Sequence, residues 1–218
     1  MRTPFALATA AVALALCAVI ARAAAPAAPA GRPLSPAERA AMTGPVWRTG
    51  CPVTLDDLAV LDVPFTDDAG QPRVGRLVVH RDEAAPVAQA MAAVHAARFP
   101  LRSVDPIERF AGDDDASMAA DNTSAFNCRP VAGGGTSWSA HAYGRAIDIN
   151  PLRNPFLTRS GRVMPPGGAA FLDRAALTPG LIRPGEAVVR AFSAIGWRWG
   201  GDWTGGSKDY QHFSRSGR

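Results

Sequence analysis

Two short stretches carry side chains that could do chemistry together: Ser139-Ala140-His141-Ala142-Tyr143-Gly144-Arg145-Ala146-Ile147-Asp148 and Asp209-Tyr210-Gln211-His212. They offer two histidines and one aspartate as a three-ligand metal site, with a second aspartate three residues before the last histidine. Three protein ligands and one open position are what a catalytic zinc ion requires. The open position takes a water whose pKa the metal lowers to about 7. Asp209 then stands ready to receive that water's proton. The chemistry expected is metal-assisted hydrolysis.

The choice of ligands is narrow, because the chain has four histidines. His80 ends an apolar run and His95 falls within a helical pattern, which suits surface or packing positions. His141 and His212 lie among Gly, aromatic and acidic residues. A histidine and an aspartate seven apart are not specific by themselves, and ordinary loop histidines bonded to backbone have the same spacing.

Rigid elements must hold these groups. Arg145 to Asn150 reads as a strand in which Ile147 and Ile149 face apolar packing and Ala146, Asp148 and Asn150 face the other way. A ligand on such a strand is aimed at one face. Val74 to His80 is β-branched and short, a second strand. Glu83 to Phe99 reads as a helix with Pro86 in its first turn and Val87, Met91, Val94 and His95 on one face. Pro100 ends it, and Leu101 to Ile107 reads as a strand leading into a loop. The run Asp113-Asp114-Asp115 is read as a solvated turn in preference to a calcium loop. Thr123 to Arg129 is expected as a strand before a Gly133-Gly134-Gly135 turn, with a bend over Ala142 to Gly144. Asn154 to Leu181 is rich in Pro and Gly and reads as loop. Glu186 to Ile195 is a second amphipathic helix with core positions Val188, Val189, Phe192 and Ile195, closed by Gly196. Trp197 to Trp199 and Gln211 to Phe213 supply the last strands. Strands and helices without βαβ alternation indicate an α+β fold with a small antiparallel sheet flanked by helices.

The N-terminus reads as a targeting segment. Arg2 precedes an apolar run from Phe5 to Ile20, and Ala21-Arg22-Ala23 suits cleavage after Ala23. The run is short for a spanning helix, which needs about 20 residues, so a cleaved signal over 1–23 is preferred to an uncleaved anchor. Cys17 as a lipidation site is disfavoured by the large Leu16 before it. An Ala/Pro-rich linker follows over 24–45, and the catalytic domain is expected over 46–218, enough for one real core. Without Arg2 and Arg22, the 23 basic residues fall to 21 against 19 acidic ones, and no Lys/Arg stripe forms. A nucleic-acid partner therefore has no electrostatic footprint. Export also leaves Cys51 and Cys128 as a pair, which suggests a disulfide over two separate thiols. A periplasmic or secreted location, no stable membrane anchor after cleavage, and a monomer are expected.

The pattern Ser139-x-His141-x-x-Gly144-x-Ala146-x-Asp148 resembles the signature of the VanY-type zinc D-alanyl-D-alanine carboxypeptidases and dipeptidases, and that of the related L-alanyl-D-glutamate endopeptidases. Asp209-x-x-His212-Phe213, preceded by Trp199-Gly200-Gly201-Asp202-Trp203, resembles the second half of the signature in the endopeptidase-like branch, and Asn122 to Arg129 resembles exported bacterial members. The similarity spans roughly residues 75–213. It implies one zinc ion held by His141, Asp148 and His212 on the sheet of a hedgehog/D-Ala-D-Ala peptidase-like fold, Asp209 as general base, and a peptidoglycan stem peptide as substrate. Arg129 would polarise the scissile carbonyl or bind a carboxylate, or else form a surface salt bridge. Ser139 would bond a ligand or the substrate, and Tyr143, Trp138 and Trp203 would wall the cleft. Asp202 would orient a histidine or cap its turn. Many such carboxypeptidases have Glu-x-x-His where this chain has Asp209, a side chain about one methylene shorter. The base must come within about 3 Å of the water, so the backbone has to approach more closely. Residues three apart on a flat strand face opposite sides, so a turn or bulge is expected between Asp209 and His212. The same ligand set on related folds serves in signalling, which leaves a non-catalytic zinc-containing cell-wall binding module as the alternative.

Overall fold

The computed structural model describes residues 31–131 and 137–218. The expected signal segment 1–23, the first part of the Ala/Pro tract and the Gly133-Gly134-Gly135 turn lie outside the described residues. Among the described residues no helix is long and apolar enough to cross a membrane.

Ordered structure reaches into the tract read as linker. β1 (Arg32–Pro33) pairs with the strand β2 (Leu58–Thr66), and α1 (Pro36–Met42) lies between them. α1 starts where a capping box would put it: Ser35 accepts from the Glu38 N–H, and Glu38 reaches back to the Ser35 N–H. Leu34 and Met42 are buried, so this segment contributes to the core.

β2 and β3 (Pro72–His80) form a long antiparallel hairpin in register from Leu58↔His80 to Thr66↔Pro72. Its two faces are both covered at the Leu58–His80 end. Leu61, Val63, Leu77 and Val79 pack with α2 (Ala84–Ala96), while Leu58, Val60 and Val78 pack against Met42, Val46, Ile107 and Phe126. Burial on both faces explains the continuous apolar run Leu58–Leu61, while from Leu61 to Phe65 the strand alternates, with Asp62 and Pro64 exposed. Of the expected α2 face, Val87, Met91 and Val94 are buried in the core, and His95 is half-buried against the Thr66 hydroxyl.

β4 (Ser103–Val104) pairs in parallel with β5 (Asn122–Thr123). Between them α3 (Asp114–Ala119) replaces the expected solvated turn: Asp113 caps it by accepting from the Ala116 N–H. Beyond β5 the expected strand to Arg129 does not form as a ladder. Its backbone N–H groups go to separate partners: Ser124 to Asp148, Phe126 to Val78, Asn127 to His141 and Cys128 to Val46. Cys51 and Cys128 form a disulfide that ties the region after α1 to this segment.

The C-terminal half supplies β6 (Ala146–Asp148), β7 (Phe156–Leu157), β8 (Val163–Met164), α4 (Ala187–Ala194), β9 (Arg198–Trp199), β10 (Lys208–Asp209) and β11 (His212–Ser214). They assemble as two antiparallel sheets, β6-β11-β9 and β10-β7-β8. The protein is thus mixed α and β with several small, mostly antiparallel sheets where one was expected. Very short strands cannot extend a single sheet, and the bend at Tyr210–Gln211 sends β10 and β11 to different ones. Ile147 and Ile149 face the core with Phe192, Trp197 and Phe213, as the alternation predicts. The stretch expected as loop over Asn154 to Leu181 carries the paired strands β7 and β8, and it is held by Arg174, which donates to the Arg153, Phe171 and Ile182 carbonyls and to Asn154 Oδ1 and stacks over Tyr210.

Candidate metal centre and cleft

His212 and Asp148 are register partners across β11 and β6. Directly opposed residues of an antiparallel pair project from the same face with Cβ atoms about 4.5–5.5 Å apart. Two potential ligands are thereby placed side by side by the backbone ladder itself. Asp148 is pinned on its other edge by Ser124, which exchanges both backbone hydrogen bonds with it.

His141 arrives from a tight 3₁₀ turn over Ala140–Tyr143. Ser139 caps that turn, its Oγ accepting from the His141 N–H at 3.3 Å. Gly144 closes it at φ +65°, and its carbonyl accepts from the His80 N–H. A Cβ on Gly144 would lie 2.4 Å from the His80 nitrogen, so the turn docks on β3 only as glycine. The His141 Nδ1–H donates to the Ala125 carbonyl at 2.6 Å. That bond fixes the tautomer and leaves Nε2 as a lone pair aimed inward.

The three side chains converge. His141 Nε2 lies 3.2 Å from Asp148 Oδ2 and 3.2 Å from His212 Nδ1, and His212 Nδ1 lies 3.1 Å from Asp148 Oδ1. One ligand atom from each falls within 4.8 Å of the others, and all three residues are buried. Burial pushes the Asp148 carboxyl up, but the two imidazoles facing it more than offset this and hold it below the usual carboxylate range. With His141 Nδ1–H committed to Ala125, the centre holds more lone pairs than protons to share between them. That is the donor set of a divalent cation, two imidazoles and a carboxylate, and this group could hold one.

Asp209 enters from the neighbouring sheet, paired with Phe156. The expected turn between Asp209 and His212 is the bend at Tyr210–Gln211, which lets residues three apart serve one cleft. The β10 backbone packs tightly on the 200–202 turn: a Cβ on Gly200 would lie 2.5 Å from the Asp209 carbonyl oxygen. Asp209 Oδ1 is enclosed and has no hydrogen-bond partner among the described residues. Burial first, then the Asp148 charge, push the carboxyl up to about 7; His212, Arg129 and Gln211 pull against that rise.

These groups line one cleft of about 430 Å³ with Ser139, Trp138, Trp203 and Arg129. Arg129 is an ion-pair partner of Asp114, its Nε 2.9 Å from Asp114 Oδ2. Arg129 thus both forms the expected salt bridge and lines the cleft. Trp203 leans against the His212 ring with centroids 5.8 Å apart. Tyr143 does not join this wall. It is 39% exposed and lines a separate groove with Arg145 and Arg215, because the 3₁₀ turn that points His141 inward points Tyr143 outward. Asp202 is exposed on the 200–202 turn and orients neither histidine; the Ala125 carbonyl does that for His141. Sequence reading overlooked Phe156, Met164, Asp114 and Gln211 as lining residues. Gln211 and Asp114 lay inside stretches already singled out; Phe156 and Met164 had no local signal.

Residues 132–215 match the model of a protein family described as D-alanyl-D-alanine carboxypeptidase. The resemblance to VanY-type peptidases is borne out over that segment, which holds His141, Asp148, Asp209 and His212. The match supports a peptidase acting on peptidoglycan in general. No curated protein and no solved structure matches the chain.

Proposed function

We propose that this VanY-type chain is an exported, zinc-dependent peptidase that hydrolyses peptidoglycan stem peptides, with a hedgehog/D-Ala-D-Ala peptidase-like fold. The observation that carries the reading is the convergence of His141 Nε2, Asp148 and His212 Nδ1 in one cleft with Asp209, whose Oδ1 has no partner among the described residues. His141, Asp148 and His212 would hold one zinc ion. When bound, zinc supplies Lewis acidity toward a water and toward the scissile carbonyl.

The chain's own residues do the rest. Asp209 takes a proton from the attacking water and returns it to the leaving amine nitrogen; a carboxyl raised toward neutral pH is suited to both transfers. Ala125 and Ser139 keep His141 in register. Trp203 and Trp138 keep bulk water from the reacting atoms. Arg129, its guanidinium oriented by Asp114, faces substrate as a carboxylate or carbonyl partner.

Release of a terminal D-alanine is favoured by Arg129 as partner for the substrate's terminal carboxylate. Cleavage between L-Ala and D-Glu is the second reading, favoured by the Asp209-x-x-His212-Phe213 form and the Trp199-to-Trp203 stretch. Mass spectrometry of purified peptidoglycan, digested with and without a chelator, tests both. Chelator-sensitive loss of one alanine mass supports the first, and chelator-sensitive release of stem peptides from glycan supports the second. Neither product from metal-loaded protein defeats the peptidase reading in favour of a binding module.

A further inference from the structure

A second groove, of about 370 Å³, opens beside the metal cleft, and its lining includes Trp138, Ala140, Tyr143, Arg145, Arg215 and Arg218. Trp138, Ala140 and Arg218 line both hollows, so the two are continuous over a shared rim. The Ala140–Tyr143 turn spans them, with His141 on the cleft and Tyr143 on the groove. Two residues of chain separate those Cα atoms by about 7 Å at most. An extended peptide advances about 3.3 Å per residue, so one seated at His141 reaches the groove within a few residues.

The groove is built to receive an anion. Three arginines line it and no acidic side chain does. Glu83 accepts from Arg215 and from Arg145 but is itself only 2% exposed. Asp82 lies 3.6 Å from Arg145 Nη2 and outside the lining. Arg218 has no acidic partner among the described residues; its guanidinium lies 5.3 Å from the centre of the Trp203 ring, a wall of the metal cleft. The Arg145 and Arg215 side chains are 38% and 44% exposed, and Arg218 is exposed, so a ligand can reach them. Guanidinium groups pair with carboxylates through their planar fork. The partly exposed rings of Trp138 and Tyr143 offer cover to the aliphatic chain that carries such a group.

We propose that this groove binds a non-terminal carboxylate of the stem peptide whose bond lies in the metal cleft, with Arg145 and Arg218 as its cations and Tyr143 and Trp138 against the adjoining chain. This rests on the peptidase reading. It makes the groove a determinant of specificity, because a site built for a carboxylate discriminates against a peptide in which that group is an amide.

The test uses a synthetic L-Ala-γ-D-Glu-diaminopimelate-D-Ala-D-Ala peptide and two analogues, each with one non-terminal carboxylate amidated. The terminal carboxylate stays free in all three, so any share that Arg129 takes is constant. Dissociation constants are measured by calorimetry on the zinc-loaded Asp209→Ala protein, alone and combined with Arg145→Gln or Arg218→Gln. With both arginines present, one amidated analogue should bind roughly 10-fold more weakly than the intact peptide. In the Gln variants the intact peptide should lose a similar factor and that analogue little more. Arg218→Gln leaves the Glu83 pairs untouched, so it serves if Arg145→Gln does not fold. Equal binding of all three peptides by the protein with both arginines overturns the proposal without any variant. An amidation penalty that persists unchanged in Arg218→Gln and in folded Arg145→Gln also overturns it, since the carboxylate then sits elsewhere. So does a loss in the variants confined to peptide still joined to its disaccharide, which would assign the groove to glycan. If the parent protein, metal-loaded, cuts the intact peptide while any of these holds, only the groove assignment falls. If it neither binds nor cuts the peptide, the peptidase reading falls and the groove assignment with it.

Discussion

His212 sits directly opposite Asp148 in the β6–β11 ladder, 64 residues away in the chain, with its Nδ1 3.1 Å from Asp148 Oδ1. A cross-strand pair of this kind makes the ligand geometry a property of the sheet register, so no loop has to hold it. His141 alone of the proposed ligands comes from outside the ladder, and it has a capped turn, a docking glycine and a fixed tautomer of its own.

Removing the anion from that pair should remove the metal. Asp148→Asn keeps the shape and the register but loses the charge that two buried imidazoles face. Metal affinity should fall by more than the about 10- to 100-fold that loss of an outer-shell partner costs. Atomic emission on dialysed protein reads this directly. Retention of one ion per chain at wild-type affinity would exclude Asp148 from the centre.

Asp209→Ala separates turnover from metal binding. Zinc content should stay at one per chain while hydrolysis of a stem peptide falls by about 10²- to 10⁴-fold, the usual worth of a general acid–base group. Unchanged hydrolysis in the metal-loaded variant removes Asp209 from the mechanism.

Gly200 is expected to act through Asp209. A Cβ there would lie 2.5 Å from the Asp209 carbonyl oxygen and 2.9 Å from its Cβ, so Gly200→Ala must push the β10 backbone away from the cleft. A displacement near 1 Å at a catalytic group costs about 100-fold in rate. The expected result is kcat reduced to that order with metal stoichiometry and KM nearly unchanged. A wild-type kcat would show that Asp209 tolerates the shift.

Glu83 ties the start of α2 to the C-terminal strand, accepting from Arg215 at 2.5 and 2.8 Å and from Trp197 Nε1 at 3.2 Å while only 2% exposed. Burial raises its carboxyl, but Arg215, Trp197 and Arg145 more than offset that and leave it below the usual range. A folded pKa below the unfolded one means the contribution is complete above the unfolded value, about 4.3. It is then lost as pH falls through the lowered folded pKa. Glu83→Gln should therefore cost about 2 kcal/mol at pH 7, discounted from a fully buried pair because Arg215 is half in solvent. The gap in urea midpoint should close as the pH is taken toward 3. A gap that does not change with pH would mean Glu83 acts by packing alone.

Much of the site was legible in the chain itself, because the signals are local. Residue type selected His141, Asp148 and His212; alternation placed Ile147 and Ile149 inward and Asp148 on the opposite face; the helical spacing of Val87, Met91 and Val94 marked α2. The need for a break between Asp209 and His212 followed from strand geometry alone. β2 carries no clear signal because its first half, Leu58–Leu61, is buried on both faces and only its second half alternates, and the 123–129 segment misleads because β propensity does not say whether a partner strand exists.

What only the tertiary structure decided is which distant groups meet. Register across a 64-residue separation is set by the summed packing of both strands, which no local pattern encodes. The same holds for the ion pair between Asp114 and Arg129, for the outward turn of Tyr143, and for the gathering of Arg145, Arg215 and Arg218 beside it. A side chain's partners depend on where the rest of the fold puts its backbone. Type and spacing determine what a residue can do; three-dimensional neighbours decide whether it is free to do it.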